Sequence, residues 1–510
     1  MMQRLRRGAW AALFVLYAIV LVLTAWLSDD AFLSFRCADN FVHGYGLRWN
    51  VAERVQVFSN PLWTFATAGL LAITREIWAT ALVFSGIVSL AAVGLFAMWS
   101  GWTWAGVAGL TALLVSRAFV DFSTSGLENP LLHLLLVAFL LALRAAASST
   151  RAWRPFLIGA LLATTRDDAL LLVLPALLFL LRGRPRRAAL RDAFLGLSPF
   201  LLWKLIALVY FGFPAPNTAY AKLAAGVSWT ELVPQALHYF ANSLRWDPIT
   251  LIAITGGAVC GFRARSGWMR AVVAGIALYL LYILRIGGDF MSGRFFAAPL
   301  VLAAALGVHA LRGARVRPAL AAVAVLLAYG ALFPRSPFRT GKNYRQTVLH
   351  EVLTDAHGVT DERAHWHRFS NPLCREAGQR MPSYAGVEWG LQQRATGVHD
   401  VQRVNVVGMR GFYAGPGLHL LEGFGLEDPL LARLPMPAGT NWRIGHFPRP
   451  IPDGYIETLA TGQNHIADST IARYWDQLAL VTRGPLWSSP RFAAIVRLNA
   501  RSRVNGRAGP

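Results

Sequence analysis

The stretch GAWAALFVLYAIVLVLTAWLS at residues 8–28, followed at once by Asp29-Asp30, decides the class of this chain. About 20 successive apolar or small side chains suffice to cross the hydrocarbon core of a bilayer. Two adjacent carboxylates then stand at the exit of that stretch. Charge at membrane depth is costly, so ionisable groups there often mark a working site. Taken alone, the pair also fits a simple marker of the interface. No small-residue cleavage site follows the apolar run, and its length suits a span better than a signal peptide.

Composition agrees with the opening stretch. The chain has 510 residues, of which 55% are hydrophobic, and its mean hydropathy is +0.42. These values predict a polytopic α-helical membrane protein. The formal net charge is +22, but the basic residues lie in short clusters between apolar segments. That is the pattern of cytoplasmic loops and does not imply a nucleic-acid partner. No GxxxxGK[ST], GxGxxG or HExxH motif occurs, so nothing supports nucleotide-driven transport.

The basic clusters set a topology. Arg4, Arg6 and Arg7 place the N-terminus in the cytoplasm. The later clusters are Arg144/Arg151/Arg154, Arg182/Arg184/Arg186/Arg187/Arg191, Arg263/Arg265/Arg270 and Arg312/Arg315/Arg317. All are cytoplasmic if spans lie near 78–98, 102–120, 130–148, 155–165, 168–182, 190–211, 246–262, 267–286, 295–311 and 316–334. The condition is that Pro61–Thr74 does not cross but lies as a helix in the outer interface. About 11 transmembrane helices result, with the C-terminus outside. Residues 1–334 are then a transmembrane domain whose first outer loop covers 29–77. Beyond Pro334 the apolar runs shorten, and 335–510 reads as a soluble extracytoplasmic domain of α/β or α+β type. Residues 404–407 read as a strand, 429–434 as a helix or turn, and 335–344 as a joining segment. His365 and His367 read as a surface pair, and a Cys37–Cys374 disulfide is one option for the cysteines.

This topology gathers the polar motifs on one face. Asp29-Asp30, Ser125-Gly126-Leu127-Glu128, Arg166-Asp167-Asp168, the loop at 216–222 and Gly287-Gly288-Asp289-Phe290-Met291-Ser292-Gly293-Arg294 all fall at outer ends of spans. Such a set suits chemistry on a lipid-linked sugar phosphate whose head group lies at the outer surface. A carboxylate must take the acceptor's hydroxyl proton or stabilise charge at the anomeric carbon, and Asp29 and Asp30 fit that role. Cations must hold the departing phosphate, and Lys222, Arg294, Arg36 and Arg166 fit. Each arginine fits an interhelical ion pair equally well. Glu128, Asp168 and Asp289 suit sugar hydroxyls, the orientation of those cations, or a divalent ion. No cofactor follows beyond that candidate cation.

These residues carry a resemblance. Asp29-Asp30-Ala-Phe-Leu-Ser-Phe-Arg36, Asp39-Asn40-Phe-Val-His43-Gly44-Tyr-Gly46, Glu53-Arg54-Val55 and Ser59-Asn60-Pro61-Leu-Trp63 resemble the first outer loop of the GT-C glycosyltransferases. Within that superfamily the chain is most similar to the arabinofuranosyltransferase B type. Thr165-Arg166, Tyr210-Phe-Gly212, Pro216-Asn217-Thr218 with Lys222, Gly408-Met-Arg-Gly-Phe-Tyr413 and Gly425-Leu-Glu-Asp428-Pro429 extend the likeness over nearly the whole chain. Gln56, Val57-Phe58 and Asp167 depart from the family pattern, which bears on the sugar carried.

The resemblance implies a bacterial cytoplasmic-membrane enzyme. It would move arabinofuranose or another pentose or hexose from a polyprenyl-phosphate donor to a cell-envelope glycan or protein acceptor outside the membrane. It implies Asp29 as the catalytic carboxylate, with Asp30 beside it. Asn217, Tyr220 and His43 fall in matching segments and join Glu128, Asp168 and Asp289 as sugar or acceptor contacts. The competing classes are a flippase for a lipid-linked sugar and a non-catalytic binding protein. A flippase calls for polar groups through the full membrane depth, and a binding protein has no need of the carboxylate pair.

Overall fold

The computed structural model describes residues 2–149, 151–223, 225–313, 315–341, 344 and 353–500, and most of them are helical. Helices Met2–Thr24, Ile77–Ser100, Asn129–Ala147, Arg186–Tyr210 and Gly267–Ile286 are long and apolar enough to cross a membrane. Trp104–Val115 and Arg117–Ser123 form a pair bent by 75° that makes a sixth candidate. Helices Pro248–Arg263 and Val316–Leu332 are apolar but shorter, as is the stretch from Arg294 to Ala310. The fold is therefore helical with several candidate spans among the described residues. The remaining crossings in the expected count fall on helices of fewer residues than a full span needs.

The pattern of burial explains the first helix. Trp10, Leu13, Tyr17, Val20, Leu21 and Thr24 are buried at three- and four-residue spacing, while Val15, Ile19 and Val22 stay exposed. An apolar exposed face on an apolar helix is what a lipid-facing surface presents. Pro61–Thr74 is a helix with the bounds expected, begun by a proline in its first turn and closed by Arg75 in the left-handed region.

The chain divides into two compact units. The first comprises Met1–Ser28, Trp78–Phe200 and Trp229–Pro382. Its packing depends on small residues that let helices approach closely. A Cβ on Gly275 would strike the Leu172 carbonyl, and one on Gly257 would strike that of Ala303. Helix Ala297–Ala310 is buried along most of its length, as suits a helix inside a bundle. At the 75° break, the Ser116 hydroxyl lies 3.2 Å from Asp247 Oδ2, and the same oxygen accepts from the Ala118 N–H at 2.9 Å.

A buried network ties down the segment after the last apolar helix. Arg117 meets Asp121 at 2.9 Å and Asp361 at 2.7 Å, while Arg363 meets Asp121 at 2.6 Å and Arg335 meets Asp361 at 3.2 Å. Arg335, Ser336 and Thr340 are buried. The segment read as a linker is thus packed into the first unit as far as it is described. Histidine 367 is also buried, on helix Glu362–Ser370, with its Nε2 donating to the Leu23 carbonyl at 2.9 Å. The expected surface pair is therefore half core.

The second unit comprises Asp29–Ile77, Leu201–Ser228 and Ser383–Pro510. Compactness groups the chain by a different rule from the division at 334/335 drawn from composition. Among its described residues are two three-residue strands, β1 (Val401–Arg403) and β2 (His419–Leu421), paired in parallel with Val401 opposite His419. The strand lies just before the expected 404–407, and Val404 N–H still bonds the Leu421 carbonyl at 2.9 Å. The rest is mainly short helices and turns. Leu431–Arg433 is a 3-10 turn where a helix or turn was expected, and residues 217–223, read as a loop, form helix Asn217–Leu223. All three cysteines are free thiols, so no Cys37–Cys374 bridge exists; Cys37 is enclosed in the core around Trp49 and Phe58.

Candidate functional site

In the second unit, Asp29 sits where the chain turns into helix Ala31–Val42. Its Oδ2 accepts from the Gly408 N–H at 2.9 Å and its Oδ1 from the Met409 N–H at 2.8 Å. Both donors open helix Gly408–Ala414. The approach requires glycine: a Cβ on residue 408 would collide with the Asp29 carbonyl and lie 2.6 Å from Oδ2. Burial pushes the Asp29 carboxyl up to about 6; the Asp30 charge adds to the rise, and the Met409 and Gly408 N–H groups and Arg410 oppose it. A carboxyl poised there is ionised near neutrality yet basic enough to accept a proton.

A second acidic group stands in the same unit. Glu422, Glu427 and Asp428 are all buried. The Glu422 N–H donates to Glu427 Oε1 at 2.5 Å, and the Leu426 N–H donates to Glu422 Oε1 at 3.3 Å. Burial raises the Glu422 carboxyl, the Asp30 charge raises it further, and the Lys222 ammonium lowers it. Glu422 therefore lies within electrostatic reach of both Asp30 and Lys222. Burial and Glu422 together push Glu427 well above the carboxylate range, so the pair holds a proton between them.

The other sequence-predicted residues of this unit have distinct surroundings. Lys222 is half-buried in the last turn of Asn217–Leu223. Asn217 is buried, and its amide donates to the carbonyls of Gly425, Leu426 and Asp428, each at 3.0 Å, while its Oδ1 accepts from Arg433 at 3.1 Å. Its amide N–H donors are spent on that turn. Arg36 is buried over the Trp49 ring, 4.5 Å from its centroid, and donates to the Leu418 carbonyl at 2.8 Å. Tyr220 stacks under Arg433, whose guanidinium carbon is 4.3 Å from the ring centroid. His43 is exposed and pairs with Asp39 at 3.3 Å.

In the first unit, Glu128, Arg166, Asp168, Asp289 and Arg294 form one network. Glu128 Oε1 lies 3.4 Å from Arg166 Nη1 and 3.2 Å from Arg294 Nη2. Arg166 grips Asp168 with two parallel bonds of 2.9 and 2.6 Å, and Tyr279 donates to the same carboxylate at 3.3 Å. Arg294 stands 3.8 Å from Asp289 Oδ2. Burial works against the Arg166 charge, but Asp168 and Glu128 hold its proton more tightly than usual. Gly288, at φ +82°, lets the chain pass the Tyr239 ring, which a Cβ would meet at 2.7 Å.

The sequence reading thus separates into two sets, each assembled within its own unit. It missed Gly408, Met409, Glu422 and Glu427 as site residues. The signal for the acids was available in Leu421-Glu-Gly-Phe-Gly-Leu-Glu-Asp428, where carboxylates alternate with apolar and turn residues.

Comparison with known proteins finds no matching family model and no matching solved structure. The chain is 28% identical over 331 residues to a terminal β-(1→2)-arabinofuranosyltransferase of Mycobacterium tuberculosis, covering 56% of this chain and 52% of the relative. It is 26% identical over 513 aligned positions to a protein of the same description from Corynebacterium glutamicum, covering 82% of this chain and 72% of the relative. The match spans about half the length of the first relative. In sequence the chain is thus similar to two proteins described as arabinofuranosyltransferases, and its apolar helices fit a membrane protein.

Proposed function

We propose that this arabinofuranosyltransferase-like chain transfers a pentofuranose from a polyprenyl-phosphate donor to an envelope acceptor on the outer side of the cytoplasmic membrane. The single observation that carries the proposal is the Asp29 carboxylate, fixed by two backbone N–H groups, raised towards neutrality and flanked by Asp30. In the reaction the acceptor oxygen bonds to the anomeric carbon as the bond from that carbon to the phosphate oxygen breaks. The hydroxyl proton passes to Asp29, and the polyprenyl phosphate leaves as an anion.

Lys222 is the first choice for the cation that holds that anion, because it stands within electrostatic reach of Glu422, which also feels Asp30. Arg294 is the second, since its partners are spaced at 3.2 and 3.8 Å. Arg166 is engaged bidentately and Arg36 is buried on a carbonyl, so both read as positioning groups. Asn217 and Tyr220 read likewise, through the 425–428 turn and through Arg433. His43, Glu128, Asp168 and Asp289 remain proposed for sugar or acceptor hydroxyls. With this function goes the topology of about eleven spans, a cytoplasmic N-terminus and a C-terminal region outside. The 1–334 and 335–510 division stands as a proposal of membrane and aqueous parts.

The test is transfer by purified protein in detergent from a panel of polyprenyl-phosphate sugars, arabinofuranose included, with Asp29→Asn alongside. Turnover that depends on Asp29 is expected. Tight binding of one donor without turnover would favour a flippase or a binding protein instead.

A further inference from the structure

The geometry points to a site for one divalent transition-metal ion, in the class of Zn²⁺ or Mn²⁺, formed by Glu53, His419 and Asp428 in the second unit. One ligand atom from each lies within 4.8 Å of the others. His419 Nε2 and Glu53 Oε1 are 3.8 Å apart. Two ligands at about 2.0–2.2 Å from a shared ion span at most about 4.4 Å, so the site needs adjustments of tenths of an ångström.

Unmet hydrogen-bonding capacity is the second observation. Glu53 Oε1 and His419 Nε2 are buried atoms with no hydrogen-bond partner, and the two side chains are 1% and 10% exposed. Leaving such groups bare is unfavourable, and a cation between them removes that cost. The neighbours do not occupy the position. Arg483 reaches Glu53 at Oε2, 3.3 Å away, on the other carboxylate oxygen. Asp428 Oδ1 accepts from the Leu430 and Leu431 N–H groups at 2.9 and 2.7 Å, and Oδ2 accepts from the Tyr455 hydroxyl at 2.7 Å. Those bonds orient the carboxylate while Oδ2 keeps a second lone pair, as outer-shell partners do for metal ligands.

The donor set selects the ion. One imidazole with two carboxylates suits zinc or manganese, whereas calcium and magnesium favour oxygen alone. A neutral imidazole is the form that ligates. The three ligands come from the first outer loop, from β2 and from the turn after it, so the ion would pin the loop to the β2–turn segment. The assignment does not depend on the transfer reaction.

Metal analysis of the full chain, purified in detergent through a tag without histidines, tests it. About one zinc or manganese per chain is expected. Chelation should lower the melting temperature, and Zn²⁺ or Mn²⁺ alone should restore it where Ca²⁺ does not. Glu53→Gln and His419→Ala should each weaken metal affinity about 10–100-fold while far-UV dichroism stays helical. Wild-type protein free of both metals, with a melting temperature indifferent to chelator and to added ions, would overturn the site. So would full metal content in both variants. The wild-type chelation arm decides the matter even where a variant fails to fold.

Discussion

The ion-pair network of the first unit and the acidic group of the second handle buried charge in opposite ways. Around Arg166 and Arg294, three carboxylates and two guanidiniums are set against one another, with separations from 2.6 to 3.8 Å. Around Asp29 and Glu422 the carboxylates have few cations near them, and their proton affinities rise instead. Charge met by countercharge yields a rigid frame. Charge met by proton uptake yields groups that can exchange protons with a substrate. Proton transfer is therefore expected in the second unit, while the first unit's network, which holds the proposed Arg294, Glu128, Asp168 and Asp289 contacts, is expected to carry stability as well.

The largest effect should come from Asp29→Asn. Loss of a general base lowers turnover about 10²–10⁴-fold, read as initial rates with the melting temperature checked in parallel. The pH profile sharpens the point. A carboxyl raised to about 6 loses its basic form as pH falls through that value, so kcat/KM should be flat above 7 and fall tenfold per unit below about 6. A rate flat down to pH 4.5 would remove Asp29 from the chemistry.

Arg166→Met probes the other region. It strands Asp168 without its guanidinium and leaves Glu128 with Arg294 alone, at a cost of about 3–5 kcal/mol in unfolding titrations. A loss below about 1 kcal/mol would erase the contrast between the two regions. Gly408→Ala should come next. The added methyl pushes the Gly408 backbone away from Asp29, and about 10²-fold loss of turnover is expected, with a loss of about 1–3 kcal/mol in stability from the backbone shift. The smallest effect should be that of Glu422→Gln. With a proton already shared in that pair, the amide replaces it at about 1 kcal/mol or less; a collapse of stability would show that Glu422 is ionised.

Much of this was written locally in the chain. The run ending at Asp29-Asp30 gave both a candidate span and the carboxylate pair, and Pro61 with an apolar stretch closed at Arg75 marked the helix Pro61–Thr74. Other features depend on partners remote in sequence. Nothing around Pro216 announces that Asn217 will start a helix, because that start is stabilised by the backbone of residues 425–428. The same holds for Glu53 and His419, which meet although they are 366 positions apart in the chain. Arg36 and Arg166 looked like phosphate ligands from type and place alone. Their actual partners, a carbonyl and a carboxylate, come from the fold.

The Asn217 clasp has a thermodynamic consequence. One side chain closes hydrogen bonds to three carbonyls more than 200 residues away. Helix Asn217–Leu223 and the 425–428 turn should therefore open together as one cooperative segment, exchanging their amide hydrogens at a common rate.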